Sequence, residues 1–460
     1  MSVKTVSPID GQIVVERPYV DKAQAFACID KANAAQATWA DTSVKERVSV
    51  LQRAIDHMVT QTDDLAREIT VQMGRPISQT PGEIAGMAAR AGYMLFIAEE
   101  ALADLPRQAP DGQYHFIRRA PLGTVLVVSP WNYPYLTAVN VIIPALAAGN
   151  AVVLKPSAQT PLIGERFAEA FEAASLPDGL FQCLHLSRET TTAIVREADI
   201  HHVAFTGSVA GGKEMESAAA GRFLSMGLEL GGKDAAYVRA DADIQAAAEG
   251  LVDGAMFNSG QSCCGIERIY VAKERFDEFV ESCTAIVNGY RLGNSTDATT
   301  TLGPVVNAAA ATRIRKEIAK AVSAGAKPLI DEAAFSVAQE DTPYVAPQIL
   351  VNVDHSMSIM TEETFGPVVG IMPVENDEGA IKLVNDSPYG LTASIWSRDE
   401  AVALKISDRL EVGTVFMNRC DALEPALAWV GVKDTGKGCT LSSYGYDALT
   451  RPKSFNFKFS

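Results

Sequence analysis

The run TVLVVSP at residues 124–130 decides the fold class, together with two similar runs, AVVLKPS at 151–157 and HHVAFTGS at 201–208. Each is a short apolar segment that ends in small or polar residues, which is typical of a strand buried on both faces of a parallel sheet. Helical patterns at 135–148 and 161–174 separate the runs. Strands and helices that alternate in this way form parallel sheets, whose ligands lie beyond the carboxyl ends of the strands. We therefore expect every polar motif of the chain at such an end.

The second half of the chain shows the same alternation after Asp234. A helical pattern covers 242–257, the strand-like run RIYVA follows at 268–272, and further helical patterns lie near 275–290 and 308–324. No internal sequence repeat is visible. The sequence therefore predicts an α/β fold with two doubly wound Rossmann-like domains and a cleft between them.

Segments outside these two halves predict amphipathic helices and a protruding hairpin. Residues 43–71 repeat apolar side chains at three- and four-residue spacing behind Ser43, and a glutamate three residues on completes a capping-box pattern. A similar helical pattern runs from 83 to 105. Residues 107–121 alternate and carry proline and glycine, as a hairpin does, and SFNFKF at 454–459 indicates a final strand.

Charge and cysteine content restrict the classes of partner. The chain has 460 residues, 40 of them basic and 56 acidic, and a net charge of −16. Nucleic-acid backbones and anionic membranes are therefore repelled on average. The seven cysteines lack paired or metal-like spacing, which argues against a disulfide framework and a zinc site. The amino terminus lacks a basic start and a long apolar run, so we expect a cytoplasmic protein with no membrane or nucleic-acid partner and no metal.

The segment FNSGQSCCG at 257–265 is the strongest chemical signal, because it sets a cysteine among small residues just after a helical pattern. A thiol has a reference pKa of about 8.5 and attacks as the thiolate, so a reactive cysteine needs backbone donors, access and few bulky neighbours. Ser259, Gly260 and Ser262 allow all three. Free cysteines are also among the most buried residues, and an adjacent pair taken alone is more often inert packing than a catalytic group.

Six motifs occur in one order along the chain: SPWNYPY at 129–135, KPS at 155–157, FTGS at 205–208, LELGGKD at 228–234, FNSGQSCCG at 257–265 and EETFGPVV at 362–369. Together they closely resemble the aldehyde dehydrogenase superfamily of NAD(P)-dependent, hydrolytic type, and the match extends from about Ser7 to Phe459. The succinic-semialdehyde-dehydrogenase-like branch is among those that the resemblance leaves open. The resemblance implies that an aldehyde is oxidised to a carboxylic acid.

The domain organisation follows from the same resemblance. It implies that residues 1–102 and 122–233 bind the cofactor, that 234–446 supply the catalytic cysteine, and that 103–121 with 447–460 join subunits. The joining parts coincide with the hairpin and the final strand that the pattern alone indicates. A homodimer or homotetramer is expected by analogy.

The resemblance assigns three catalytic residues. Cys263, not its neighbour Cys264, ends the GQxC pattern and would add to the aldehyde, giving a thiohemiacetal and, once hydride has passed to nicotinamide, a thioester. Asn132 would donate its amide to the oxyanion together with the cysteine N–H. Glu229 would activate the hydrolytic water, with a pKa raised by its apolar setting. Without the resemblance, Asn132 is more typical of a turn and Glu229 of an exposed strand end.

The nicotinamide cofactor, NAD or NADP, is assigned to eight positions: Trp131, Lys155, Ser157, Gly207, Ser208, Gly212, Glu363 and Phe365. FTGS ends a strand and opens a helix, which lets a pyrophosphate approach the helix amino terminus. The resemblance places Lys155 on the adenosine ribose and Glu363 on the nicotinamide ribose, with the two aromatic side chains shaping that end of the pocket. Taken singly, these residues are also typical of a solvated lysine, a charged helix start and ordinary packing.

Two positions of the site depart from the family pattern. Many NAD-preferring relatives carry a glutamate where this chain has Ala158, and its loss removes repulsion against the 2′-phosphate of NADP. Lys155 and Ser157 remain as phosphate partners, so we predict that NADP is accepted or even preferred. Relatives that oxidise succinic semialdehyde usually place an arginine where this chain has Asn140. Arg419 is a candidate replacement as the anion partner, and a structural role for it is equally consistent with the sequence.

Three rival functions were weighed against the dehydrogenase. A cysteine hydrolase requires a histidine base near its nucleophile, and the six histidines lie in no accompanying motif. A non-catalytic protein on the same scaffold should have lost one of the three catalytic residues, all of which are present. A coenzyme-A-acylating semialdehyde dehydrogenase is disfavoured by the retained Glu229. The last two stay as alternatives to the hydrolytic aldehyde dehydrogenase.

Overall fold

The computed structural model describes residues 1–459, and Ser460, the last residue of the predicted joining segment, lies outside the described residues. The helices are α1 Lys22–Trp39, α2 Val44–Val59, α3 Thr62–Met73, α4 Thr80–Ala101, α5 Pro134–Ala147, α6 Leu162–Ala173, α7 Arg188–Glu197, α8 Val209–Ala218, α9 Ile244–Met256, α10 Phe276–Asn288, α11 Ala308–Ser323, α12 Ser358–Thr361, α13 Asp377–Asn385, α14 Glu400–Ser407 and α15 Ser442–Ala448. The strands are β1 Ser2–Val6, β2 Ile13–Pro18, β3 Leu105–Arg107, β4 Gln113–Pro121, β5 Thr124–Val128, β6 Ala151–Lys155, β7 Phe181–Cys183, β8 His202–Thr206, β9 Ser225–Glu229, β10 Asp234–Val238, β11 Ile266–Ala272, β12 Lys327–Pro328, β13 Gln348–Val351, β14 Val368–Val374, β15 Tyr389–Gly390, β16 Thr392–Trp396, β17 Thr414–Met417, β18 Val432–Lys433, β19 Gly436–Lys437 and β20 Thr450–Lys458. Within residues 1–459, none of these helices has the length and apolar character needed to cross a membrane.

The elements predicted from the apolar runs are present. The three runs form β5, β6 and β8, and the helical patterns between the first two form α5, with α6 following the second. The pattern at 43–71 forms two helices, α2 and α3. Ser43 accepts a hydrogen bond from the backbone N–H of Glu46, whose carboxylate accepts from the N–H of Ser43. The predicted capping box is therefore confirmed.

The first sheet has six strands in the order β19-β9-β8-β5-β6-β7. The last five run parallel, and β19 pairs antiparallel at the edge. Val128 pairs with both Lys155 and Phe205, and Thr206 pairs with Glu229. The strands therefore end at one level, and this carboxyl edge carries both Lys155 and Glu229.

The second sheet has seven strands in the order β12-β13-β14-β11-β10-β16-β17, and all except β12 run parallel. Along β10, Ala236 and Val238 pack with α9 and α10, whereas Ala235 and Tyr237 pack with α11, α13 and α14. This alternation is what a strand covered on both faces requires. The predicted α/β class with two doubly wound sheets is confirmed.

A third, antiparallel sheet has the order β20-β4-β3. The long pairing of β20 with β4 runs from Thr450 opposite Pro121 to Lys458 opposite Gln113. Phe116 stacks on Phe455 with ring centroids 4.3 Å apart. The hairpin and the final strand predicted from the sequence are both present, and they form one sheet.

The two large sheets meet through opposite ends of their strands. The chain leaves the first sheet at Glu229 and enters the second at Asp234, with only four residues between. Cys263 precedes β11, and Glu363 precedes β14, so both lie at amino ends of strands in the second sheet. The expectation that every polar motif lies at a carboxyl end is therefore wrong for the cysteine and EETFGPVV motifs. The physical reason is the short crossing, which brings the amino edge of the second sheet against the carboxyl edge of the first.

Candidate active site

The loop between α9 and Cys263 has an unusual backbone. Asn258, Ser259 and Gly260 follow one another with φ angles of 53°, 56° and 70°. Left-handed backbone costs a residue other than glycine about 1–2 kcal/mol, so two of these three residues are strained. At Gly260 a side chain is excluded, because its Cβ would overlap the carbonyl oxygen of Gly366.

Side-chain hydrogen bonds hold this strained loop in place. The Ser259 hydroxyl donates to the carbonyl oxygen of Gly303 at 2.8 Å. The Gln261 amide donates to the Asn258 carbonyl oxygen at 3.0 Å and accepts from the backbone N–H of Val306 at 2.8 Å. Both of these side chains are buried. The backbone that presents Cys263 is therefore fixed by contacts from distant parts of the chain.

Asn132 belongs to the same network. It is buried, and its side-chain Nδ2 donates to the carbonyl oxygen of Gln261 at 3.1 Å, two residues before Cys263. Arg75 donates to the carbonyl oxygen of Asn132 and forms a buried ion pair with Glu83 at 2.6 Å. The amide predicted as oxyanion donor thus lies against the cysteine loop from the first half of the chain.

The Arg75–Glu83 ion pair was missed by the sequence interpretation. Glu83 falls on the same stripe of α4 as the buried Met87 and Ala91, where an apolar residue is the norm. A charged residue on the buried face of a helix indicates a buried partner. That signal was available in the sequence, although it does not identify Arg75 as the partner.

Glu229 ends β9 and lines the same cavity as Cys263. The Thr440 hydroxyl donates to Glu229 Oε1 at 2.7 Å, and the Thr206 hydroxyl donates to Oε2 at 3.4 Å. The side chain is half-buried, and its open part faces the cavity. Burial raises the pKa of Glu229, and the two hydroxyl donors and Arg90 partly oppose that rise.

The cavity between the two large sheets has a volume of about 490 Å³. Cys263, Glu229 and Tyr133 are among the residues that line it. Asn132 is not among the lining residues, and it donates one of its two amide N–H groups to the cysteine loop. The structure therefore brings the predicted nucleophile and base to one space, with the predicted amide donor behind the loop that carries the nucleophile.

The neighbouring cysteines differ in their surroundings. Cys263 is half-buried, whereas Cys264 is buried and its thiol donates to Asp421 Oδ1 at 2.8 Å. The side chain of Cys263 together with burial raises the pKa of Cys264 well above its ordinary value. Burial also raises the pKa of Asp421, to about 6. Cys264 is therefore held as a protonated thiol, and the predicted nucleophile, Cys263, is the more accessible of the two.

The predicted nicotinamide end is assembled from both halves of the chain. The ring centroids of Trp131 and Phe365 are 5.6 Å apart in an edge-to-face arrangement. Glu363 Oε1 accepts from the backbone N–H of Gly232 at 2.9 Å, and burial raises the pKa of Glu363 to about 7. At Gly231 a Cβ would touch the Glu363 carboxylate, and at Gly232 it would overlap the Cys263 carbonyl oxygen. The two glycines of LELGG thus let the motifs approach one another.

A buried ion pair supports this end of the site. Lys233 pairs with Glu267, and Glu267 also accepts from the backbone N–H groups of Thr364 and Phe365, each at 2.8 Å. These bonds hold Phe365 at a φ of 53°. The sequence interpretation missed the pair, although a charged residue inside the apolar strand β11 was a visible signal.

The positions predicted for the adenosine and pyrophosphate lie along the carboxyl edge of the first sheet. Lys155 is half-buried, and within residues 1–459 its ammonium has no hydrogen-bond acceptor. Burial lowers the pKa of Lys155. Ser208 caps α8 by accepting from Gly211 N–H at 3.2 Å, and Gly207 begins the turn before it. Gly212 lies deeper, where any Cβ would overlap Leu230, and its lack of a side chain lets α8 pack close to the end of β9.

Ser157, Ala158 and Arg419 complete the predicted set. The Ser157 hydroxyl accepts from the backbone N–H of Gln159 at 3.2 Å, which leaves its own O–H free to donate. Ala158 is exposed, and its carbonyl accepts from Thr5. Arg419 is an exposed residue of the cavity wall with no ion pair among residues 1–459. It is not a buried structural arginine.

A family model described as the aldehyde dehydrogenase family matches residues 1–455 of this chain. The chain is 32% identical to 3,6-anhydro-alpha-L-galactose dehydrogenase of Streptomyces coelicolor, over 98% of this chain and 92% of that protein. It is also 32% identical to succinate-semialdehyde dehydrogenase of Paenarthrobacter nicotinovorans, over 93% of this chain and 94% of that protein.

Solved structures share the whole fold. PnpE in complex with nicotinamide adenine dinucleotide superposes with a TM-score of 0.95 at 28% identity, covering 100% of this chain and 95% of that chain. NADP-dependent glyceraldehyde-3-phosphate dehydrogenase from Bacillus halodurans, complexed with NADP, superposes with a TM-score of 0.94 at 29% identity, covering 100% and 96%. The likeness therefore extends over both large sheets and the antiparallel sheet.

Proposed function

This chain belongs to the aldehyde dehydrogenase family, and we propose that Cys263, Asn132 and Glu229 carry out its reaction. Its activity is the oxidation of an aldehyde to a carboxylic acid with NAD or NADP. One observation carries the proposed roles. Cys263 and Glu229 line a single cavity, and the Asn132 amide bonds the loop that presents the cysteine.

The first step is addition of the Cys263 thiolate to the aldehyde carbon. A carbon–sulfur bond forms, and the carbonyl electrons move to oxygen, which becomes an oxyanion. The Asn132 amide has two N–H groups, of which one donates to Gln261. The second amide N–H and the backbone N–H of Cys263 stabilise the oxyanion, and the clamped loop fixes their direction.

A dinucleotide fits the residues on the carboxyl edge of the first sheet. The ammonium of Lys155 and the N–H groups of Val209 and Ala210, the first two of α8, lack acceptors among residues 1–459, and they face the same edge. Lys155, Ser157, Gly207 and Ser208 hold the adenosine and pyrophosphate, while the aromatic pair and Glu363 hold the nicotinamide end. When bound, the oxidised nicotinamide accepts the hydride whose loss turns the thiohemiacetal into a thioester.

Glu229 acts as the general base that catalyses hydrolysis of the thioester. The carboxylate takes a proton from water as the water oxygen attacks the acyl carbon, and the carbon–sulfur bond then breaks to release the carboxylic acid and the Cys263 thiolate. The raised pKa of Glu229 makes it a stronger base than an exposed glutamate. Thr440, which donates to Oε1 at 2.7 Å, positions the carboxylate.

We propose that NADP is accepted as oxidant. The supporting observations are the exposed Ala158 in place of a carboxylate and the unpaired ammonium of Lys155 nearby. The Ala158→Glu variant should lower kcat/KM for NADP relative to NAD by at least about tenfold, because it restores like-charge repulsion. A wild-type enzyme that strongly favours NAD in steady-state assays would refute this proposal.

A cytoplasmic homodimer or homotetramer is the proposed form of the protein. The antiparallel sheet supports the proposal of an assembly, because β20 and β3 are its edges and it exposes the apolar side chains of Tyr114 and Phe457. The acidic net charge of −16 fits a soluble compartment. Light scattering of the wild type and of Phe457→Glu measures the assembly, and an unchanged mass in the variant argues against this surface.

Rapid-mixing measurement of reduced nicotinamide tests the proposed roles. Glu229→Gln should keep a burst of about one equivalent per active site and then turn over about 10²- to 10⁴-fold more slowly, because the thioester forms but is not hydrolysed. Wild-type steady-state turnover in this variant would remove Glu229 from the mechanism. If coenzyme A accelerated the wild type and acyl-coenzyme A were the product, the acylating alternative would replace hydrolysis.

A further inference from the structure

Arg90 lies on the side of α4 that carries the buried Met87 and Met94, and unlike the buried Glu83 it is half-buried. It lines the cavity that contains Cys263. Its Nη1 donates to the carbonyl oxygen of Leu136 at 2.9 Å and to Oδ1 of Asn140 at 3.3 Å. Within residues 1–459, its Nε and Nη2 donate to nothing. One edge of the guanidinium is therefore open to the cavity.

No carboxylate of the described chain forms an ion pair with this arginine. Glu83 is paired with Arg75, Glu229 is bonded by two threonines, and Asp421 accepts from Cys264. Asp253 lines the cavity but is exposed to solvent. The half-buried guanidinium therefore has no counter-charge bonded to it within residues 1–459 and is available to a ligand in the cavity.

We propose that Arg90, oriented by Asn140, binds a carboxylate at the far end of the aldehyde, so that the substrates are ω-carboxylate aldehydes. This inference rests on the proposed function of the same cavity. The open Nε–Nη2 edge is the fork that accepts two oxygens of one carboxylate. Asn140 and Leu136 occupy the other amino group and fix the plane of the fork.

The nearby charges favour a single negative charge in the substrate. Glu229, Asp421 and Glu83 lie close enough to Arg90 for their charges to raise its pKa, against the larger lowering by burial. One cation among these carboxylates matches a carboxylate better than a doubly charged phosphate. The exposed Arg419 lies on the solvent side of the wall. Arg419 is a second arginine of the cavity wall that could bind the substrate carboxylate, and it therefore serves as the matched control for Arg90.

The test compares aldehydes that differ only in their far end. The wild type is assayed with 4-oxobutanoate and 5-oxopentanoate, with butanal and pentanal, and with glyceraldehyde and its 3-phosphate. We expect kcat/KM for the carboxylates to exceed that for the uncharged aldehydes by about 30- to 100-fold. Failure to oxidise any of these aldehydes counts against the proposed function. Oxidation of the uncharged aldehydes without this preference overturns the Arg90 proposal alone.

Variants locate the recognition. Arg90→Gln should reduce the carboxylate preference about 30- to 100-fold, mainly through KM, and Arg90→Lys should restore part of it. Asn140→Asp keeps the shape of the side chain but supplies an internal carboxylate next to Nη1, so it should reduce the preference with Arg90 still present. Arg419→Gln should preserve the preference.

Three outcomes overturn the proposal. The preference persists in both Arg90→Gln and Asn140→Asp, or it disappears in Arg419→Gln, or the phosphate ester is favoured over both carboxylates. Thermal unfolding of each variant, followed with bound NADP, identifies a misfolded one. If Arg90→Gln misfolds, Asn140→Asp decides the question by itself.

Discussion

The loop before Cys263 and the end of β6 at Lys155 differ in whether their polar side chains are hydrogen-bonded within the chain. In the loop, Asn258, Ser259 and Gln261 are bonded to other parts of the chain, and these bonds hold a strained backbone. At the end of β6, the half-buried ammonium of Lys155 has no acceptor within residues 1–459. Groups that the chain satisfies itself fix the geometry of the reaction, whereas groups left open indicate where a ligand binds.

The same contrast occurs along a single helix. Glu83 and Arg90 both lie on the side of α4 that carries the buried Met87. Glu83 accepts from Arg75 and from the backbone N–H of Tyr135, and this positions the start of α5. The Nε–Nη2 edge of the Arg90 guanidinium has no acceptor among residues 1–459. We call polar groups that are hydrogen-bonded within the chain closed groups, and those without such a partner open groups. Substitutions at closed groups should lower kcat, whereas substitutions at open groups should weaken ligand binding.

The largest effect is expected at the nucleophile. Cys263→Ala should reduce turnover by at least about 10⁴-fold, because the other two thiols of the cavity wall, Cys264 and Cys420, have raised pKa values and stay protonated. Cys264→Ala is the matched control and should stay within about tenfold of the wild type, because that thiol is held by Asp421. Both are measured as reduced nicotinamide formed per second, and persistent turnover in Cys263→Ala would assign the reaction to another residue.

A smaller loss is expected when the closed network loses its amide donor. Asn132→Ala should lower kcat about 10²- to 10³-fold, the usual effect of removing one oxyanion donor. Ser259→Ala loses only the bond to Gly303 and should lose less. Cofactor affinity, measured by fluorescence titration, should stay near the wild-type value in both variants. A purely structural role would instead change affinity and the melting temperature together.

The pH profile tests the hydrogen bond on the base. Burial raises the pKa of Glu229, and the Thr440 hydroxyl opposes this rise. Thr440→Val removes the opposing bond, so the pKa rises further. Glu229 acts deprotonated, and the fall in kcat on acidification should therefore begin at higher pH than in the wild type. Thr206→Val, which removes the longer bond of 3.4 Å, should move the profile less. A shift to lower pH in either variant contradicts this account.

The smallest effect is expected on the open side. Lys155→Met should weaken NADP binding about tenfold and leave kcat at saturating cofactor nearly unchanged, because the ammonium contacts only the ligand. The weakening should diminish at high salt. Isothermal titration in low and high salt measures both. A large loss of kcat at saturation would place Lys155 with the closed groups.

The sequence predicts the elements well because their patterns are local. The apolar runs at β5, β6 and β8 and the capping box at Ser43 each depend on neighbouring residues. The motif order was enough to propose Cys263 and Glu229, which the structure brings to one cavity. The same local signals carry no information about which edges of two sheets meet, and this is why two motifs were expected at the wrong strand ends.

Other features depend on partners far away in the chain. Lys233 and Glu267 are 34 residues apart, and the Asn132 amide meets a carbonyl 129 residues away. Periodicity cannot pair such groups. It does reveal that a charge falls on a buried face, and Arg90 could have been found by that signal. The left-handed turn of Asn258, Ser259 and Gly260 has no such signal, because only the last of these residues is a glycine.

The four residues between β9 and β10 limit how the two halves can move. A chain of four residues spans at most about 14 Å, and here it is further tied by the bond from Leu230 N–H to the Thr435 carbonyl and from the Thr435 hydroxyl to the Gly231 carbonyl. This short, hydrogen-bonded link keeps the end of β9, and with it Glu229, close to the amino edge of the second sheet, where Cys263 lies.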